Sequence, residues 1–583
     1  MTQSSPLLSF GTIQWLKIIL SAAALVLLYL RYKKGRTSGG SSKEYSFRTK
    51  AIVVSAILLS SAVFHNLGTI RGGTFVHYGE MFHYYLGSKY FKEVGYYELY
   101  NAVIAADTEQ DNALAGIPFF TDLRTYRNIQ RETVLGDAGR VKSLFSEERW
   151  NAFKDDVSFF KTATGMPRAP GLRVLVMDHG YNASPASTFV LGILTNAIPV
   201  TQLWLLAALD VLLVAAMIGL VFRTFGFEMG ALFSIYFYVN VLNDYDYISG
   251  SLLRYDWLLY IVAAVCLLKK GRYASSSFFL TLSAMMRVFP AMLFYGIAVS
   301  FFQKVKAART VDKKFKRFIL TAGATGLLLF LLPAVSSGSL RPWNDFFAKT
   351  ELHDSGVYVN HLGLRGVVLF EPSHLSLERF VEAYKDTDTG DIVRHWQDAK
   401  EKELGQKRPI IVFYSLLVLA GLTAIIWKRK ESESKSVLWP LLLVYTVSYL
   451  SHYYYAFLCL FILLFFRRNN PLGAFVPLCL LLVFNIISLL TKYSEPSPIV
   501  FYTLINIYLF ICLSAILGFE LYTNVLGKKP VGAIASLELP HEPGSERGAR
   551  AKDRDPREPQ ASAGIEPRRD VTRRRHRSRA RRK

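Results

Sequence analysis

The chain has 583 residues, of which 51% are hydrophobic, 14% aromatic and only 19% charged. A soluble chain of this length divides into several domains with polar surfaces and linkers, whereas here the apolar residues gather in repeated blocks of about 15 to 25, the length that crosses a ~30 Å hydrocarbon core. That pattern excludes a soluble enzyme, a secreted disulfide scaffold and a disordered protein, and it predicts an all-α, polytopic transmembrane helical bundle. The formal charge of +23 is not a nucleic-acid signature, because 17 Lys/Arg against 8 Asp/Glu fall in residues 528–583 and much of the rest falls in short loops between spans. Such a distribution reports orientation through the positive-inside rule, and no nucleic-acid partner is expected. Cys266, Cys459, Cys479 and Cys512 all lie within apolar blocks, without metal-ligand spacing, and read as packing residues.

In chain order, the first block (13–30) is followed by a basic stretch, 31–50, with seven Lys/Arg and one Glu. It lacks the flanks of a cleavable signal and reads as a retained span with its basic end in the cytoplasm. A second span (51–67) leads to about 130 residues carrying 13 Lys/Arg and 14 Asp/Glu, a nearly neutral connection suited to the outer face. Spans follow at 201–222, 228–243 and 255–268. Basic residues 269–272 and 303–317 both belong inside, and the 29 residues of 274–302 between them are too few for two complete spans. The expected solution is a re-entrant pair of half-helices meeting at Arg287–Pro290, since non-helical backbone at membrane depth is tolerated where it lines a cavity. The rival is one long span. Further spans are expected at 318–336, 409–427, 437–450, 453–466, 471–491 and 499–524, giving about 11 full spans and two large outer loops, 70–200 and 337–408. The tail, 526–583, is rich in Pro, Arg, Glu and Ala without apolar periodicity and reads as a basic, disordered cytoplasmic segment.

Residues able to carry chemistry concentrate on the outer side. Glu80, His83, Tyr84 and Gly87 stand at i, i+3, i+4 and i+7, one face of a helix. A carboxylate there can accept a proton from a hydroxyl, and the aromatics offer stacking faces for sugars; an interfacial aromatic belt explains the same residues without chemistry. Asp178, His179 and Tyr181 lead through Asn182-Ala-Ser-Pro185 into a short helix, either lining a site or forming a turn and helix cap. Asp210 stands in mid-span, where a carboxylate costs roughly 2.5–3.5 kcal/mol on insertion scales and needs a partner. Arg254 starts one span and Arg287 marks the expected break; both suit a phosphate, and Asp256 equally suits neutralising one of them. Asn360 begins a glycine-containing turn, and His452-Tyr453-Tyr454 interrupts a late apolar run. No metal motif, nucleotide-sugar site or cofactor signature is evident.

The order of these motifs resembles the polytopic polyprenol-phosphate-sugar glycosyltransferases of the GT-C fold, and within them the bacterial mannosyltransferases and arabinofuranosyltransferases of cell-envelope lipids. Five short motifs carry the resemblance across residues 50–500. Glu80-Met-Phe-His83-Tyr84-Tyr85 stands where the family has an acid, usually Asp, before a Tyr-Tyr stretch. Tyr181-Asn-Ala-Ser-Pro185 matches a Tyr-x-Pro-Pro lead into a short helix, with one proline. Arg287-Val-Phe-Pro290 matches a Lys-x-x-Pro break, with Arg for Lys. Asn360-His-Leu-Gly is similar to an Asn-x-Ser-Leu turn, and His452-Tyr453 to a late His-Tyr. The resemblance implies a GT-C-like catalytic domain over 51–525, with residues 1–50 an additional N-terminal span and basic loop. It implies inverting transfer of a sugar, with a hexose such as mannose favoured, from a polyprenyl-phosphate donor to an outer-face lipid, glycan or protein acceptor across a bacterial inner membrane. It also implies Glu80 as general base and Arg287, Arg254 and His452 as donor-phosphate contacts. Contacts to acceptor or sugar fall to His83, Tyr84, Asp178, His179, Tyr181, Asn360 and Tyr453. A ligase or polymerase using a diphosphate-linked glycan, and a glycolipid transporter, are the competing readings.

Overall fold

The computed structural model describes residues 8–37, 46–68, 74–164, 174–385, 392–466 and 471–527. The basic tail and the arginines at 467–468 lie outside them. The described chain is overwhelmingly helical, and seven of its helices are long and apolar enough to cross a membrane. In chain order the helices that frame the molecule are α1 (Phe10–Thr37), α2 (Phe47–Phe64), α3 (Glu147–Ala163), α4 (Pro185–Ala197), α5 (Leu203–Phe225), α6 (Phe227–Val239), α7 (Asp256–Lys269) and α8 (Tyr273–Met286). After these come α9 (Leu293–Ala308), α10 (Lys313–Ser337), α11 (Arg341–Ser355), α12 (Ile392–Arg429), α13 (Leu441–Val447), α14 (Pro471–Ser494) and α15 (Pro498–Leu521). The only described strands are two short antiparallel pairs, β1 (Phe119–Asp122) with β2 (Arg127–Gln130) and β3 (His361–Leu362) with β4 (Leu450–Ser451). All four cysteines are free.

The break expected at Arg287 is present, and its cause is local. Pro290 has no N–H, and its ring would clash with the carbonyl of Met286 in a continuous helix. The chain leaves α8 with Arg287 extended at φ −140°, ψ 123°, and a 3₁₀ turn over Phe289–Met292 starts α9. Carbonyls freed at the end of α8 need donors. Ser184 Oγ donates to Met285 O at 2.6 Å, and Arg287 Nη1 donates to Met286 O at 2.9 Å. Tyr273 at the start of α8 and Phe301 near the end of α9 both pack on Phe315. The two helices therefore begin and end at the same end of the bundle, which excludes one long span. α8 lies between α7 and α10, while α9 packs on α12.

Other expected spans differ in form. The stretch at 437–450 is not one continuous helix, whereas 453–466 falls largely in one apolar helical run, His452–Phe465, that changes from 3₁₀ to α. α13 has 7 residues, Ser448 is extended, and a 3₁₀ run His452–Cys459 precedes a short helix Leu460–Phe465. Leu458–Phe465 is buried on every side, which is why its composition mimics a lipid-facing span: a helix apolar all round is as much a core element as a membrane one. α6 and α7 have 13 and 14 residues, each roughly 20 Å long at 1.5 Å per residue. α12 absorbs residues 392–408, expected as loop, into one 38-residue helix.

The two long connections pack on each other above a second hydrophobic core. Lys349 of α11 donates to Tyr96 O at 3.0 Å, and the Tyr97 hydroxyl donates to Asp345 O at 3.1 Å. This core joins Phe82, Tyr85, Phe153 and Phe160 to Leu203 and Leu206 of α5. Elsewhere backbones meet closely: a Cβ on Gly296 of α9 would fall within the Ser436 carbonyl, whereas one on Gly323 of α10 would meet nothing within 4 Å. Gly296→Ala is expected to lower stability in detergent by about 1–3 kcal/mol through overpacking, with Gly323→Ala unchanged or slightly more stable; equal melting temperatures for the two variants would contradict the α9 packing.

Candidate functional site

Glu80 lies at the start of a helical stretch with an internal irregularity: Tyr78–Met81 is α-helical, Phe82–Leu86 forms a π turn, and Gly87–Lys89 resumes the α-helix. His77 Nδ1 accepts the Glu80 N–H at 3.1 Å and caps the first turn. The π turn inserts an extra residue and rotates the side chains beyond it about the helix axis. Glu80 and Tyr84 reach the same cation, Arg254: Glu80 Oε2 is 3.1 Å from Arg254 Nη2, and the guanidinium lies 4.3 Å from the Tyr84 ring centre. His83 turns away, its Nε2 2.8 Å from the Tyr100 hydroxyl and 3.1 Å from Leu175 O. The expected shared face of Glu80, His83 and Tyr84 is thus split, and His83 belongs to the loop core.

Arg254 follows a polar turn and precedes α7. Its backbone N–H donates to Asp210 Oδ1 of α5 at 2.7 Å, so the mid-span carboxylate braces the arginine's backbone, as its structural reading required. The Arg254 side chain is 2% exposed and the Glu80 side chain 21%, with Glu80 Oε2 itself buried against the guanidinium. Arg254 Nη1 has no hydrogen-bond partner among the described residues, and the Tyr453 ring covers the guanidinium at 5.5 Å. Buried cations held by aromatic faces retain their charge with part of their hydrogen-bonding capacity unused.

Arg287, at the α8–α9 break, is the second buried guanidinium. Besides Met286 O it reaches Ser187 Oγ of α4 at 3.5 Å, and its Nη2 is 3.9 Å from Asp256 Oδ1. Asp256 therefore neutralises Arg287 in part, at the long end of ion-pair distance. His452 places its ring 5.8 Å from that of Tyr453. Its N–H donates to Asn360 O at 2.9 Å, its ring packs edge-on to Tyr247 at 4.4 Å, and Asn360 Nδ2 donates to the Tyr247 hydroxyl at 2.5 Å. The β3–β4 pair joins the Asn360 turn to the His452 run, and Gly363 permits it, because a Cβ there would sit 2.6 Å from Ser448 O.

Glu80, Tyr84, Tyr453 and Arg254 are thus in contact, Asp256 stands beside Arg287, and Asn360 and His452 both meet Tyr247, whose ring neighbours that of Tyr453. Tyr181 does not face this centre: it is buried, its hydroxyl is 2.8 Å from Thr188 Oγ1, and it packs edge-on to Tyr84. Asp178 is largely exposed and takes the His179 N–H at 2.8 Å. His179 joins a different cluster, with its ring 4.6 Å from Tyr126, 5.6 Å from His353 and 4.8 Å from Tyr358. Sequence reading missed Tyr502, whose ring lies 4.9 Å from that of His452, and Ser187 beside Arg287. Lys17 of α1 was missed too. It is buried in the bundle, near the carboxylate of Asp244, which Lys492 of α14 pairs at 2.5 Å. Among the described residues no group of three or more His, Cys, Asp or Glu is placed to hold a metal ion.

Comparison with protein-family models, curated proteins and solved structures found no match.

The histidine cluster between the long connections has a pH consequence. Burial, together with His179 and Lys349, pushes His353 down to about 3, with Asp178 opposing. Burial, together with His353, His179, His452 and Arg365, holds His361 well below the usual range. Both are neutral when folded, while the unfolded chain takes up their protons below about pH 6.5. Stability is therefore complete above that pH and is lost as pH falls toward the folded values, by up to about 1.4 kcal/mol per histidine per pH unit. Melting temperatures recorded from pH 7.5 to 5 are expected to fall, and less steeply in His353→Gln; an identical slope in that variant would contradict the assignment.

Proposed function

We propose that this chain is a membrane glycosyltransferase that moves a sugar from a polyprenyl-phosphate donor to a hydroxyl of an acceptor on the outer face, with inversion. The observation that carries the reading is the partly exposed Glu80 carboxylate paired to buried Arg254, with Arg287 and His452 around it. A carboxylate beside desolvated cations suits a reaction in which one group accepts a proton while others receive a departing phosphate. In this reading the bundle sits in a bacterial cytoplasmic membrane, with about 11 crossings plus the α8–α9 re-entrant pair. Both long connections lie outside and the basic tail lies inside, as the positive loops direct.

The donor phosphate binds between Arg254, Arg287 and His452, taking up the unused Nη1 of Arg254. Competition for that guanidinium loosens the Glu80 ion pair and makes the carboxylate the better proton acceptor. The acceptor hydroxyl gives its proton to Glu80 as its oxygen bonds to the anomeric carbon. The bond from that carbon to the phosphate oxygen breaks with its electron pair, and the polyprenyl phosphate leaves into the arginines and His452. In this reading Tyr84 and Tyr453, whose rings cover Arg254, contact the sugar or acceptor together with Asn360. His83 and Tyr181 serve as buried supports, through Tyr100 and Thr188 respectively, and Asp178 and His179 take no direct part.

The test uses purified protein with short-chain polyprenyl-phosphate mannose, glucose and arabinofuranose, each with membrane lipid extract as acceptor. Glu80→Gln is expected to lower sugar transfer about 10²–10⁴-fold in a folded protein, the usual contribution of general base catalysis. Transfer at the wild-type rate would remove Glu80 from that role. Arg287→Ala is expected to lower kcat about 10²–10³-fold, as loss of one donor to a developing oxyanion does; an effect confined to KM would make Arg287 a binding residue only.

A further inference from the structure

Away from the reaction centre, a cavity of about 550 Å³ runs along α12. Leu404, Arg408, Ile411, Ser415 and Leu419 line it from α12, and their spacing of four, three, four and four places them on one face of the helix. Leu443 and Val447 of α13 form the opposite wall. Asp354 and Glu401 stand at its polar end beside Arg365.

The charge pattern of α12 sets the level of this groove. Residues 393–408 include Arg394, Asp398, Lys400, Glu401, Glu403 and Arg408, whereas 410–427 contain no charged residue. Arg408 thus marks the boundary between water and hydrocarbon. It is exposed, and among the described residues it has no ion-pair partner. Arg365 is different: its Nη2 is 2.7 Å from Asp354 Oδ2, and it lies over the Tyr449 ring. The mouth therefore offers one unengaged guanidinium and, two turns away on the same face, the Glu401 carboxylate. From Arg408 to Leu419 the helix rises roughly 16 Å, about half of a ~30 Å hydrocarbon core and so the depth of one leaflet. Ile410, Phe413 and Leu417 continue the apolar surface outward from the groove's edge.

We propose that this groove is a binding site for one bilayer phospholipid with an ethanolamine headgroup, its phosphate on Arg408, its ammonium at Glu401 and Asp354, and one acyl chain between α12 and α13. The inference depends only on α12 crossing a bilayer and stands apart from the transferase reading. Charge complementarity selects the headgroup. A primary ammonium donates hydrogen bonds to carboxylates, a quaternary ammonium cannot, and a glycerol headgroup brings no positive charge. A prenyl monophosphate brings a larger negative charge to a mouth that already holds two carboxylates.

The test is lipid analysis by native mass spectrometry of the full chain after exchange into nanodiscs of equal parts phosphatidylethanolamine, phosphatidylcholine and phosphatidylglycerol. The ethanolamine lipid is expected to be retained at about fivefold excess over each of the others, and the excess is expected to vanish in Arg408→Gln and in Leu416→Trp, which fills the groove. Leu417→Trp, outside the lining, is expected to keep it. Equal retention of all three lipids, preference for phosphatidylglycerol, an excess surviving Leu416→Trp, or one-for-one displacement of the phospholipid by a short-chain prenyl phosphate would each overturn the proposal.

Discussion

A buried guanidinium inside an apolar bundle is the constraint around which the rest is arranged. An arginine in hydrocarbon costs at least about 2.5–3.5 kcal/mol even on the mildest scales, and leaving one unpaired in a protein interior costs more. Arg254 meets that cost from three directions. Asp210 of α5 holds its backbone, Glu80 of the first long connection neutralises its head, and Tyr84 and Tyr453 cover its faces. The contacts come from three parts of the chain, so satisfying one charge draws the first long connection, the bundle and the late tyrosine run into register. The pairing remains incomplete at Nη1, which leaves the same charge available to an anion.

The second organising feature is backbone accounting at the α8–α9 break. Pro290 forces the helix open, and the exposed carbonyls of Met285 and Met286 are taken by Ser184 and Arg287. Ser184 is also the N-cap of α4, accepting the Ser187 N–H at 3.1 Å. One serine thus fixes the start of the short helix and the end of the half-helix together. That joint sets Arg287 near Asp256, close enough to be charge-balanced and too far at 3.9 Å to be fully engaged. The loosely held arginine and the strongly held one have different supports, consistent with different roles for them in the proposed reaction.

Much of this was legible in the sequence because hydropathy and proline act over short range. The helical class, the break at Arg287–Pro290 and the helix beginning at Pro185 follow from blocks of apolar residues, one proline and one serine cap. Grouping Glu80, Arg254, Arg287, Asn360 and His452 into one site rests on motif order, not on spacing, since these residues lie far apart in the chain. The errors have equally local causes. The face predicted for Glu80, His83 and Tyr84 assumed 3.6 residues per turn, and the π turn at Phe82–Leu86 rotates His83 into the loop core. The extended Ser448 and the 3₁₀ run within 437–466 escaped the reading because apolar composition alone does not fix helix continuity. The Lys492–Asp244 pair was passed over because its members lie more than two hundred residues apart, and no local pattern marks such a pair.

The central claim is that Arg254 is shared between Glu80 and the donor phosphate. The most direct measurement is the affinity for short-chain polyprenyl phosphate, read by calorimetry or ligand-induced thermal shift, in wild type, Arg254→Met and Glu80→Gln. The account predicts weakening of tenfold or more in a folded Arg254→Met. It also predicts binding in Glu80→Gln as tight as wild type or tighter, because removing the carboxylate frees the guanidinium. Unchanged affinity in Arg254→Met, or equal weakening in both variants, would contradict it.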